Sequence, residues 1–151
     1  MKLLKRNVYK VLFLACFVLG LSSGVVFAAV TTFTQRFVYN GDTYTMKHNY
    51  EPGTSTWNGW VRSESPRIFS YLGGSTWSQR RICAGMIVAS QNRGGWANYN
   101  SSTANSSVEW YSYASGSCIN ERMGIYAMHQ WQDYGWQSPI NRDYTTSMAR
   151  P

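Results

Sequence analysis

Asn40-Gly41 sits between two segments of alternating character, residues 32–39 and 42–50. A two-residue hairpin loop of this kind needs positive φ at both positions, and Asn-Gly adopts it at low cost. The loop also fixes a register in which paired positions sum to 81, so that Phe33 faces His48, Gln35 faces Met46 and Phe37 faces Tyr44. On the other side Thr34 meets Lys47, Arg36 meets Thr45 and Val38 meets Thr43. One face is aromatic and the other polar, the pattern of a half-buried hairpin.

The remaining chain is punctuated in the same manner. Pro52-Gly53 turns it, and Trp57-Asn58-Gly59-Trp60 reads as a second tight hairpin with the two indoles opposed. Residues 68–72 read as a short strand after Pro66, closed by Gly73-Gly74. Residues 79–90 are the most apolar stretch beyond the N-terminal leader and read as a central strand, bulged at Gly85. Gly94-Gly95 marks a turn. Residues 100–107 form a polar loop with glycosylation-type sequons at Asn100 and Asn105. Residues 108–114 and 124–131 alternate as strands, and Pro139 ends the pattern, leaving 141–151 as a flexible tail. No stretch beyond the leader sustains a 3.6-residue period, and no internal repeat is evident. The expected fold class is all-β: a small antiparallel β-sandwich or partly open barrel.

The first ten residues carry Lys2, Lys5, Arg6 and Lys10 without an acid, and an apolar run over 11–21 follows. Ser22-Ser23-Gly24 and a small-residue exit at Ala28 complete the pattern of a cleaved secretory signal. An uncleaved anchor is the rival reading, and the Ser-Ser-Gly break argues against it. Cys16, amid apolar residues, makes a poor lipidation site. The expected organisation is a signal peptide over 1–28, one secreted extracellular domain over 29–140 and the tail. Beyond residue 28 there are ten cationic side chains, nine of them Arg, against seven carboxylates, a net charge of +3. Cys83 and Cys118 remain and are expected to pair, as cysteines of exported chains do. Leu72 is the lone leucine left, so aromatic residues must serve as core material.

Chemistry-bearing patterns are sparse. His48 and His129 have no neighbouring ligands at metal-binding spacing and read as half-buried sheet residues. There is no Gly-x-Ser-x-Gly elbow and no phosphate-binding glycine loop. Paired carboxylates drawn from Glu51, Glu64, Glu109, Glu121, Asp133 and Asp143 would suit a small hydrolase. The sequence therefore predicts no catalytic residue, metal or cofactor. It directs attention to Trp57, Trp60, Trp77, Trp96 and Trp136 at turns, with Arg80, Arg81 and Arg93 close by. Exposed indoles beside arginine engage glycans, lipid surfaces and proteins. The leading expectation is a secreted binding protein acting at a cell envelope, glycan or other extracellular surface. A bacteriocin-like or membrane-active effector is the main alternative, and nucleic acid is a poor fit for an exported chain of modest charge.

Overall fold

Both turn residues of the first hairpin take the left-handed conformation, Asn40 at φ 50° and Gly41 at φ 84°. β1 (Thr31–Tyr39) and β2 (Asp42–Pro52) pair antiparallel in the expected register, from Thr31 opposite Tyr50 to Tyr39 opposite Asp42. The computed structural model describes residues 29–53, 56–112 and 118–150. Residues 1–28, with Cys16 and the expected cleavage point, lie outside the described residues, as do positions 113 and 114 of the strand expected over 108–114.

Four more strands follow: β3 (Thr56–Cys83), β4 (Met86–Ser112), β5 (Arg122–Gln132) and β6 (Ile140–Ala149). The fold is all-β, with no helix among the described residues. One antiparallel sheet runs β1-β2-β3-β5-β6, with β4 paired to β3.

The long strand β3 organises this sheet. β4 lines one of its edges, from Thr56 opposite Ser112 to Cys83 opposite Met86. The other edge is shared: residues 57–64 pair with β2, and residues 71–82 pair with β5. Register shifts between Glu64 and Phe69, and between Gly74 and Trp77, bend the strand between its two halves. Pro66, which cannot donate to a ladder, falls in the first shift. The halves fold face to face into a nearly closed, barrel-like sheet. The inner side of β2 thus meets β5 and β6.

Aromatic rings fill the space between. Phe37 stacks on Tyr44 at 5.3 Å, and Trp131 meets both edge-on at 5.3 and 5.6 Å. Trp57, Trp77 and Trp131 are fully buried, as is Leu72. Trp96 lies across Gly74 on the neighbouring strand and reaches the ring of His129 at 5.3 Å. A Cβ on Gly74 would collide with the Trp96 ring and with the Met128 carbonyl, so only glycine leaves room for this contact.

Cys83 ends β3 and is disulfide-bonded to Cys118, with Cα atoms 5.2 Å apart. The bond closes a loop of sequence separation 35. A loop of that length is stabilised by about 3–4 kcal/mol in the chain-entropy model.

Several local expectations are corrected. Residues 57–60 do not turn but run straight through β3, where Trp57 pairs with Pro52 and Trp60 with Asn49. Their alternation is that of a strand with one buried face, and the sheet bond on both edges overrides the Asn-Gly signal. Residues 68–72 are an internal part of β3. The apolar stretch over 79–90 is not one strand: Ala84 (φ 50°) and Gly85 (φ 80°) turn it into a hairpin between β3 and β4. Gly94-Gly95 and residues 100–107 lie within β4, carried through by its pairing with β3. The supposed tail over 141–151 supplies most of β6, which pairs with β5 from Trp131 opposite Ile140 to Arg122 opposite Ala149. The domain therefore extends past residue 140 to at least Ala149.

The Gly74→Ala variant should lose about 3 kcal/mol of stability through overpacking against Trp96 and the Met128 backbone. Its thermal midpoint should fall by roughly 10 °C. An unchanged midpoint would show that the Trp96 ring is not wedged on this glycine.

Candidate functional site

The folded sheet brings five polar side chains into one continuous buried chain. The Ile125 backbone N–H donates to Tyr50 Oη at 3.0 Å, and Tyr50 Oη lies 2.8 Å from Thr146 Oγ1. Thr146 Oγ1 is 3.0 Å from His48 Nδ1, and His48 Nε2 is 3.2 Å from His129 Nε2. His129 Nδ1 is 2.9 Å from Ser63 Oγ, which donates to the Gly73 carbonyl at 2.6 Å. Residues from β2, β3, β5 and β6 thus meet at one point.

With both rings neutral, the Ser63 proton placed on the Gly73 carbonyl sets the direction of the other bonds. A backbone N–H can only donate and a carbonyl can only accept. Each hydroxyl or neutral imidazole between them has one proton to give. Tyr50 therefore donates to Thr146, Thr146 to His48 Nδ1, His48 Nε2–H to His129 Nε2, and His129 Nδ1–H to Ser63. Each proton has an acceptor, and both imidazoles are neutral. A proton added to either ring would make His48 Nδ1 a donor, and Thr146 would then donate to Tyr50 Oη instead of accepting from it. Burial favours the neutral rings: His48 is held well below its ordinary value by desolvation and then by His129, and desolvation lowers His129 to about 3. Burial also raises the Tyr50 phenol, which keeps its proton.

Ser63 and His129 stand at the separation of a nucleophile and its base, yet they are not arranged as one. The serine proton goes to Gly73, while His129 presents a proton to Ser63 rather than a lone pair. Ser63, His48 and His129 are all 0% exposed. This chain is a clasp within the core, and the two histidines are fully rather than half buried.

Three of the candidate carboxylates, Glu64, Glu121 and Asp133, are held by cations. Glu64 is held by Lys47 at 2.8 Å and Arg62 at 2.9 Å, and Glu121 by Arg81 at 3.4 Å and Arg150 at 3.3 Å. Asp42 and Asp133 both approach Arg67. The Arg67 hydrogen bond lowers the Asp133 carboxyl, opposite to what a general acid needs. Among the described residues, no three of His, Cys, Asp and Glu gather as a metal site.

The tryptophans and arginines singled out from the sequence do not form one surface. Trp57, Trp77 and Trp96 are buried in the core, contrary to their expected place at loop tips. The short aliphatic supply of the sequence draws them inward. Trp60 is half-buried on the outer face, and Trp136 is half-buried against Phe69 at 5.4 Å. Arg93 donates to Gln79 at 2.6 Å and Gln91 at 2.7 Å, and Arg81 turns to Glu121. Arg80 lies over the Tyr126 ring at 4.9 Å, beside a cleft of about 290 Å³ that Thr76, Ser78 and Asn92 also line.

The surface that sequence reasoning missed is the β3–β4 turn. Met86, Ile87 and Val88 are 66%, 55% and 54% exposed, and Ile119 beside them is 65% exposed. The disulfide and the bond from the Ala84 N–H to the Ile119 carbonyl (2.7 Å) pin these two segments together. Beside the tip opens a hollow of about 550 Å³ lined by Cys118, Asn120, Glu121, Arg122, Ala149 and Arg150. The signal available in the sequence was Ala84-Gly85 next to a cysteine, which marks a tethered turn rather than a buried strand.

No family model matches the chain, and no curated protein matches it. Among solved structures, it is similar to a crystal structure of a protein from Archaeoglobus fulgidus, at 6% identity and a TM-score of 0.33. That match covers 82% of this chain and 98% of the other.

Stability should depend on pH through the two imidazoles. Their pKa values are lowered in the folded state, so the unfolded chain takes up protons first. Stability is therefore complete above about pH 6.5 and declines as pH falls toward 3, by up to ~1.4 kcal/mol per unit for each histidine. Thermal melts at constant ionic strength should show a loss of a few kcal/mol between about pH 6.5 and pH 4.5, above the usual carboxylate range. A flat profile across that window would contradict a neutral buried pair.

Proposed function

We propose that this chain is an exported, disulfide-stabilised binding protein that attaches to a cell-envelope or other extracellular surface through the β3–β4 tip. The observation that carries the reading is the exposure of Met86, Ile87 and Val88 together, next to exposed Ile119. Four exposed aliphatic side chains gathered at one hairpin end of a small domain mark a contact site. The turn itself supports this. Ala84 adopts φ 50°, a conformation that costs a non-glycine residue about 1–2 kcal/mol and that Asn or Asp would tolerate better. An alanine there keeps the tip apolar where a polar residue would be the easier choice.

Export is supported by the basic-then-apolar leader and by the disulfide, which suits an oxidising compartment. Binding rather than catalysis is supported by where the reactive groups lie. The histidines and Ser63 are sealed in the core, and the described ion pairs occupy Asp42, Glu64, Glu121 and Asp133. The contact surface is accordingly moved from the tryptophan turns to the tip, with Trp60 and Trp136 left outside it.

The test uses the oxidised domain, residues 29–151, sedimented with delipidated cell walls and with lipid vesicles. The double variant Ile87→Ser/Val88→Ser should lose at least about tenfold in retention on whichever surface binds the parent, since each buried aliphatic side chain contributes roughly 1.5–3 kcal/mol. Trp60→Ala should bind like the parent. Equal retention of the tip variant, with an unchanged melt, would remove the tip as the site.

A further inference from the structure

Four of the ten cationic side chains of residues 29–151 lie close to the apolar tip in the strand register. Arg80 and Arg81 stand on β3 just behind the turn, opposite Ser90 and Ala89. Arg122 pairs with Ile82, which also faces Ile87 across the hairpin. Arg150 follows β6, with its N–H donating to the Glu121 carbonyl at 2.8 Å. Four guanidinium groups thus stand around the foot of this turn, with Glu121 between two of them. Glu51, next to Tyr50 on β2, lies toward the same end of the sheet and pairs with Asn58.

Two of these arginines are not neutralised by acids. Arg122 is exposed and donates to Ser147 Oγ and the Ser147 carbonyl, at 3.1 and 3.2 Å. Arg80 lies over Tyr126. Among the described residues neither meets a carboxylate. Along the strands the cations lie level with the exposed aliphatic side chains or within about 10 Å behind them, given ~3.3 Å per residue. Apolar groups that enter a bilayer interface penetrate about 5–10 Å, which leaves such cations among the phosphates.

We infer that the surface engaged by the tip is an anionic lipid bilayer. Met86, Ile87, Val88 and Ile119 enter the boundary between headgroups and acyl chains. Arg80 and Arg122 meet the lipid phosphates. The inference rests on the proposed attachment through the tip and adds its partner.

Phosphatidylglycerol-containing vesicles and pure phosphatidylcholine vesicles separate the outcomes, with delipidated walls as a third arm. The oxidised domain should bind the anionic vesicles, release as salt rises, and bind phosphatidylcholine far more weakly. Arg80→Gln/Arg122→Gln should bind anionic vesicles about thirtyfold more weakly, the loss expected for two interfacial cations. Ile87→Ser/Val88→Ser should lose vesicle binding. Each variant is compared only after its melt matches the parent's, and the salt series on the parent stands as a second measurement where one fails to fold. Equal binding to both lipid compositions, or salt-independent binding, would overturn the inference. Retention on walls alone, still lost in the tip variant, would overturn the lipid partner and keep the tip. Vesicle binding that the tip variant retains, or no binding to any surface, would overturn both.

Discussion

Two neutral imidazoles in contact, His48 on β2 and His129 on β5, hold the folded sheet together. A sheet bent along β3 must bring the inner faces of its halves into register, and aromatic packing alone sets no register. The hydrogen-bond chain from the Ile125 N–H to the Gly73 carbonyl does so, because each of its members has one donor and one acceptor to place. Losing any one member leaves buried groups without partners, at about 1–3 kcal/mol each. The stretch from Gly73 to Trp77 belongs to the same arrangement. Gly73 supplies the terminal acceptor, and Gly74 admits Trp96 against His129.

Closing the core in this way decides what is left for the surface. With a single leucine after residue 28, the inner faces recruit Trp57, Trp77, Trp96 and Trp131 as bulk. The same closure takes the histidines and Ser63 out of reach of any substrate. What remains outside includes exposed Val38, Ile68, Tyr99 and Tyr134, and the hairpin tip where Met86, Ile87 and Val88 follow one another in the chain close to arginines. The disulfide stands at the foot of this tip, where it holds exposed apolar side chains on a rigid mount instead of a loop.

Local rules read well where the chain decides locally. The Asn40-Gly41 turn fixed nine cross-strand pairs without reference to the rest of the molecule. The pairing of Cys83 with Cys118 and the all-β class were equally legible, the first from compartment and count and the second from the missing helical period. Failures fall where distant strands override local signals. Asn58-Gly59 carries the same dipeptide logic as Asn40-Gly41 but is clamped on both edges by β2 and β4, so it stays extended. Residues 141–149 look polar and unpatterned because β6 buries little more than Ile140 and Thr146, and only β5 reveals it as a strand. The clasp was invisible for a related reason: its members lie up to 98 residues apart, and no short spacing announces them.

The most direct test of the clasp is a long-range proton–nitrogen spectrum of the imidazoles in the nitrogen-labelled domain, recorded from neutral to mildly acidic pH. The account predicts two neutral rings of opposite tautomer, with His48 carrying its proton on Nε2 and His129 on Nδ1, and no titration near the ordinary histidine value. Two rings with the same tautomer, or either ring charging at its ordinary pKa, would contradict it.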